Sequence, residues 1–188
     1  IQLGSGKIIS DYFNTKVVSN FRDKDIANKG EGAPIGSFYH RYLLKNINKK
    51  AIIINLGGVA NYTQIKKRQL ISSDLGPANA ILDDLTNHFY KKKLDKKGIY
   101  SSKGNINSLI LNKFKKDKFF NKNDPKSLDR SYFNLYLSTL IKLKKNDALA
   151  TALSFTIYSI INTLNKRSNS YINEVILTGG GRKNDYLI

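Results

Sequence analysis

The chain has 188 residues, 40% of them hydrophobic, which supports a packed core and argues against a disordered chain. It has no cysteine and only two histidines, His40 and His88, which excludes disulfides, thiolate metal sites and a histidine-built zinc centre. The net charge is +18, yet only six of the 32 basic residues are arginine, and the abundant Lys, Asn, Ile, Tyr and Phe all have AT-rich codons, so nucleic acid is not the expected partner.

The sequence contains no methionine, not even at position 1, and it is read as an interior stretch of a longer chain. It shows neither a signal peptide nor an apolar run of about 18 residues, so a cytoplasmic protein off the membrane is expected. Residues 10–21 carry a short helical pattern, with Val17-Val18 as a short buried strand in the alternative. Residues 22–36 are rich in Gly, Asp, Asn and Lys and read as a long loop, the kind that often carries function. A helix is predicted over 35–46. Ala51 to Leu56, Val59 to Ile65 and Gln69 to Ser73 read as three strands joined by tight turns at Gly57-Gly58 and Lys66-Lys67, an antiparallel meander. Asp74 to Asn79 reads as a turn into a helix over about 78–93, with Pro77 at its start. Further helices are predicted at about 105–116, 133–143 and 147–165, the last capped by Asp147. Glu174 to Thr178 is a strand, closed by Gly179-Gly180-Gly181.

Common nucleotide signatures fail. Gly4-Ser5-Gly6-Lys7 is followed by Ile8 where a P-loop needs Ser or Thr. No glycine triplet has Rossmann spacing, and no nucleophile elbow is present. Four other segments each admit a chemical and an ordinary structural reading. Asn55 to Asn61 is a hairpin turn, or a bare-backbone turn open to a phosphate. Asp74 to Asn79 is a helix cap, or places a carboxylate for Mg²⁺. Thr178 to Asn184 is a glycine-rich helix start, or a surface for adenosine. Phe21 to Pro34 is a solvated charge run, or a loop whose aspartates act as bases on a sugar.

In chain order these segments, with Pro125 to Phe133, match FRxxDxAxxGxGAP, NxGGxAN, DxGPxN, PKSxxRxxF and GGGxxN. The chain thus resembles the anhydro-N-acetylmuramic acid kinase family along nearly its whole length. The resemblance implies an α/β chain with the ribonuclease H-like, two-domain fold of actin and sugar kinases, truncated at both ends, with a mixed sheet and flanking helices. Residues 1–48 would end the first domain and carry the catalytic loop, and 49–188 would form most of the nucleotide-binding domain. It implies an ATP- and Mg²⁺-dependent kinase that opens 1,6-anhydro-N-acetylmuramic acid with water and yields N-acetylmuramic acid 6-phosphate in cell-wall recycling, as a homodimer.

Carried over by motif, Asp25 is the general base, ahead of Asp23, and Arg22, Gly30 and Gly32 serve the sugar. Asn55, Gly57, Gly58, Asn61, Asp74 and Gly76 serve the phosphates, with Asp74 able to hold Mg²⁺ through water. Gly179, Gly180, Gly181 and Asn184 serve the adenosine. Lys126, Ser127 and Arg130 belong to the pattern without an assigned role. Departures fall at Lys29, Glu31, Leu75 and Ala78, and the family's first phosphate loop has no counterpart, so the 188-residue piece alone is expected to lack kinase activity. The alternatives are another sugar kinase or ATPase of the superfamily, or a lysine-rich nucleic-acid-binding protein.

Overall fold

The computed structural model describes residues 4–46, 50–66, 69–167 and 172–188, in two compact units, 4–35 and 36–188. The first unit holds α1 (Gly6–Phe13) and α2 (Asp23–Ala27). Ser5 caps α1 by accepting from the Ile8 amide, and Asn14 ends it in the left-handed conformation. That stop at Asn14 displaces the helix expected over 10–21. Val17 and Val18 form no strand, and Val18 is exposed.

In the second unit, α3 (Ser37–Asn46) precedes a meander of β1 (Ala51–Leu56), β2 (Val59–Lys66) and β3 (Gln69–Pro77). Next come α4 (Asn79–Tyr90), α5 (Ser108–Lys115), the short α6 (Leu137–Leu140), the long α7 (Lys145–Arg167) and β4 (Glu174–Thr178). The sheet order is β3-β2-β1-β4, antiparallel within the meander and parallel between β1 and β4. This is an α/β unit with a mixed four-stranded sheet flanked by helices, consistent with an actin/sugar-kinase-like fold. The expected domain boundary after residue 48 and the boundary between the compact units after 35 differ by α3, which packs under the sheet through Leu44 against Ala51 and Ile53.

Alternation along β1 explains the layering. Ala51 and Ile53 face α3, whereas Ile52, Ile54 and Leu56 face a second core with Tyr62, Leu75 and Ala78. On the α3 side, His40 Nδ1 lies 2.9 Å from Thr63 Oγ1, which in turn lies 3.0 Å from Ser72 Oγ. Burial lowers the His40 pKa. On the other side, α7 is lined with small residues, so it lies close to the sheet. A Cβ on Gly76 would come 2.2 Å from Ser159 Oγ of α7. Between the helices, an aromatic cluster fills the core, with Phe114 of α5 and Phe155 of α7 stacked at 4.0 Å.

Some expected elements changed. β3 runs on to Pro77, because Gly76 and Pro77 still pair with Ala60 and Val59, so Asp74 to Pro77 is strand rather than turn. The helix expected at 133–143 is a 3₁₀ turn over Tyr132–Tyr136 followed by α6. α7 starts before Asp147, whose carboxylate instead accepts from the Asn105 amide at 2.8 Å. Among the described residues, no helix is long and apolar enough to cross a membrane.

Candidate nucleotide cleft and sugar loop

β1, β3 and β4 all end at the same edge of the sheet, where ligands of open α/β sheets bind. The Gly57-Gly58 turn lies there. Its two carbonyls accept from the amides of Ala78, Asn79 and Ala80, which fixes the turn to the start of α4. Asn79 Nδ2 donates to Leu56 O at 2.9 Å, closing the end of β1. The glycine run after β4 wraps the same edge. A Cβ on Gly179 would meet Leu56 O at 2.6 Å and Asn55 Oδ1 at 2.7 Å. One on Gly181 would meet Leu56 Cβ at 2.7 Å and Asn79 Oδ1 at 3.1 Å. Only bare backbone allows this approach, and Gly179 also has φ +80°.

Just outside this edge is a cleft of about 720 Å³. Asn79, Leu82 and Asp83 of α4 form one wall, residues 94–97 another, and Gly180, Gly181 and residues 183–185 the rest. Asn184 is buried there, and its side-chain oxygen accepts from the amides of Tyr186 and Leu187. Asp95 accepts from the amides of Tyr100 and Ser101, which shapes the facing loop. Lys97 pairs with Asp185 at 3.3 Å.

Asp74, Asn61, Asn55 and Thr178 occupy one row across the four strands, on the α3 side of the sheet, next to the glycine bends. Asp74 is buried, and one oxygen accepts from the Leu128 amide at 2.7 Å. Its carboxylate is the only one in the row. Magnesium bound mainly by phosphates and water needs no more than that, so the donor set fits such an ion. Gly76 does not join the cleft, since its bare Cα makes room for Ser159.

The early loop is described by itself, in the first unit. Gly32 N–H donates to Asp25 Oδ2 at 2.7 Å, and its carbonyl accepts from Arg22 Nε at 3.0 Å. One residue, Gly32, thus holds Arg22 and Asp25 together through its two flanking peptide groups. Gly32 has φ +65°, and a Cβ on Gly30 would collide with the Asp25 carboxylate at 2.2 Å. Asp25 is exposed, and its Oδ1 has no protein hydrogen-bond partner among the described residues. Asp23 makes no such contact with the glycines.

The sequence profile of the anhydro-N-acetylmuramic acid kinases matches residues 1–188. The chain belongs to that family. It is 35% identical, over its whole length, to the anhydro-N-acetylmuramic acid kinase of Gamma-proteobacterium EBAC31A08, covering 52% of that relative. It is 36% identical over 97% of its length to the Pelagibacter ubique kinase, covering 51% of it, and 34% identical to the Clostridioides difficile kinase, covering 52%. The chain therefore spans about half the length of the curated relatives it matches.

Within this kinase family's PKSxxRxxF segment, the structure supplies roles that the residue pattern lacked. Lys126 O accepts from the Asp74 amide, and Lys126 N donates to Ser73 Oγ, so the segment covers the open edge of β3. The Lys126 ammonium lies 4.3 Å from the Phe119 ring centroid. Arg130 pairs with Asp84 of α4 at 2.8 Å. Asp124, just ahead, accepts from Tyr62 and Ser73 and pairs with Arg167. Burial works to raise the Asp124 pKa, but these donors and the guanidinium charge hold it below the usual carboxylate range.

Sequence reasoning missed Asp83, although Asn79, Leu82 and Asp83 have the i, i+3, i+4 spacing of one helix face. Burial, and then the charge of Asp84, raise its pKa from 3.8 to about 6, against the pull of Arg130. The folded state therefore holds this proton more tightly than the unfolded chain does. Stability is highest below the unfolded value and declines as pH rises from 3.8 to about 6. Asp83→Asn removes that penalty. The half-exposed carboxyl makes the gain about 1 kcal/mol above pH 6 and near zero at pH 4, read as denaturant midpoints at the two pH values.

Proposed function

We propose that the protein is an ATP- and Mg²⁺-dependent kinase that converts 1,6-anhydro-N-acetylmuramic acid and water to N-acetylmuramic acid 6-phosphate. The observation that carries this reading is the convergence of the Gly57-Gly58 turn, the start of α4 and the Gly179–Gly181 bend at one sheet edge beside a cleft, in a member of this family. The nucleoside occupies the cleft against Gly180 and Gly181. The phosphates pass over the glycine bends to the polar row of Asn55, Asn61 and Asp74. Asp74 would hold Mg²⁺ through water, and the ion would neutralise charge on the β- and γ-phosphate oxygens. Gly76 shapes this site by making room for α7, and Asn184 lines the cleft.

Asp25 acts as the general base. It takes a proton from water as the water oxygen bonds to the anomeric carbon. The bond from that carbon to the bridging oxygen O6 breaks, O6 bonds to the γ-phosphorus, and the β–γ bridging oxygen leaves with ADP. Arg22 orients the loop, and Gly30 and Gly32 give the carboxylate its place. We assign the reaction to the cytoplasm, to a homodimer, and to no nucleic-acid or membrane partner.

The test is to run the whole protein with ATP, Mg²⁺ and the anhydro sugar in ¹⁸O-labelled water. The expected product is the 6-phosphate with the label on the anomeric hydroxyl. An unlabelled phosphosugar, or no phosphorylation of the anhydro sugar while another sugar is phosphorylated, would overturn the assignment.

A further inference from the structure

We infer that Asp83 accepts hydrogen bonds from the ribose hydroxyls of the nucleotide, an inference that rests on the cleft being the nucleoside site. Asp83 lies one turn into α4 beyond Asn79, and both line the cleft with Leu82. The other carboxylates around it are already engaged. Asp95 holds two backbone amides, Asp185 pairs with Lys97, and neighbouring Asp84 pairs with Arg130. Asp83 is half-buried, and among the described residues no protein group donates a hydrogen bond to it.

A carboxylate only accepts hydrogen bonds, and withdrawing one from water without donors is costly. A ligand that brings donors removes that cost. Ribose brings two adjacent hydroxyls to the two carboxylate oxygens. Phosphates are repelled by the same charge, which turns the nucleotide so that its sugar lies at α4 and its phosphates point to the glycine bends. Leu82 and Leu94 leave an apolar surface for the base. The unmet need of Asp83 is thus a device for both affinity and polarity of binding. Its raised pKa agrees with a carboxylate short of donors.

Calorimetry on the whole protein with ATP, 2′-deoxy-ATP, 3′-deoxy-ATP and inosine triphosphate tests this. Removal of either hydroxyl is expected to weaken binding about tenfold or more, as for a hydrogen bond to a charged group. In Asp83→Ala and Asp83→Asn that ratio is expected to shrink toward one. Two results would overturn the inference while leaving the nucleotide site intact. One is an unchanged ribose ratio in both variants. The other is a collapse of the ATP-to-inosine-triphosphate ratio alone, which would place the base at Asp83. Absence of ATP binding by the unaltered whole protein would instead remove the nucleotide reading, and this inference with it.

Discussion

On the proposed chemistry, Asp25→Asn in the whole protein is expected to lower the rate of anhydro-sugar phosphorylation by about 10² to 10⁴-fold, the usual contribution of a positioned general base. The substitution is chosen because it separates basicity from architecture. Asp25 Oδ2 accepts from the Gly32 amide, and an asparagine amide oxygen can accept the same bond. The loop held by Arg22 and Gly32 therefore persists, while the group that would take the water proton no longer can. ATP affinity should stay the same, since Asp25 belongs to the sugar side of the proposed chemistry. Asp23→Asn is the matched control, two residues away in the same short exposed helix, and its rate should change less than twofold. A large loss in Asp23→Asn with none in Asp25→Asn would reverse the assignment of the base. The measurement is the initial rate of 6-phosphate formation at saturating ATP and sugar.

Gly179→Ala is expected to cost about 2–4 kcal/mol of stability and at least tenfold in ATP affinity. Two effects add. The backbone at Gly179 has φ +80° and ψ 178°, a region that side-chain-bearing residues strongly avoid. The new methyl would also lie 2.6 Å from Leu56 O, a backbone atom fixed inside the sheet. The strand end must open, and the glycine bend must move away from the Gly57-Gly58 turn. Gly180→Ala provides the contrast. Its Cβ would find its nearest neighbour at 3.9 Å and its φ is ordinary, so the fold should tolerate it. Gly180 does line the cleft, so a methyl there would intrude on the proposed nucleotide. The pair thus gives loss of both melting temperature and ATP binding in Gly179→Ala, against loss of binding alone in Gly180→Ala. Equal melting temperatures in the two variants would contradict the steric account of Gly179.

Strong local signals carried the sheet. The run of Ala51 to Ile54 and the paired glycines at 57–58 specify a buried strand and a tight hairpin wherever they occur, and β1, β2 and β4 formed where periodicity placed them. The ends of elements were less legible. β3 outran its predicted end because cross-strand pairing to Val59 and Ala60 outweighed the turn character of Gly76-Pro77. α1 stopped at Asn14 although the apolar pattern continued, since a left-handed residue ends a helix whatever follows. Asp147 looked like a cap in sequence but serves a backbone amide 42 residues away.

The residues that make the candidate site divide the same way. Ordered motifs alone place this chain in its kinase family and single out the glycines and Asp25, because residue types that tolerate bare-backbone turns, or supply a base, announce themselves locally. Which glycine faces the cleft and which meets a helix was decided only by the tertiary structure. Gly76 yields its space to Ser159 from a helix some 80 residues on, whereas Gly180 opens onto the cleft. Asp83 became visible in the same way. Its lack of donors is a property of what surrounds it in space, and chain order contains no record of that surrounding.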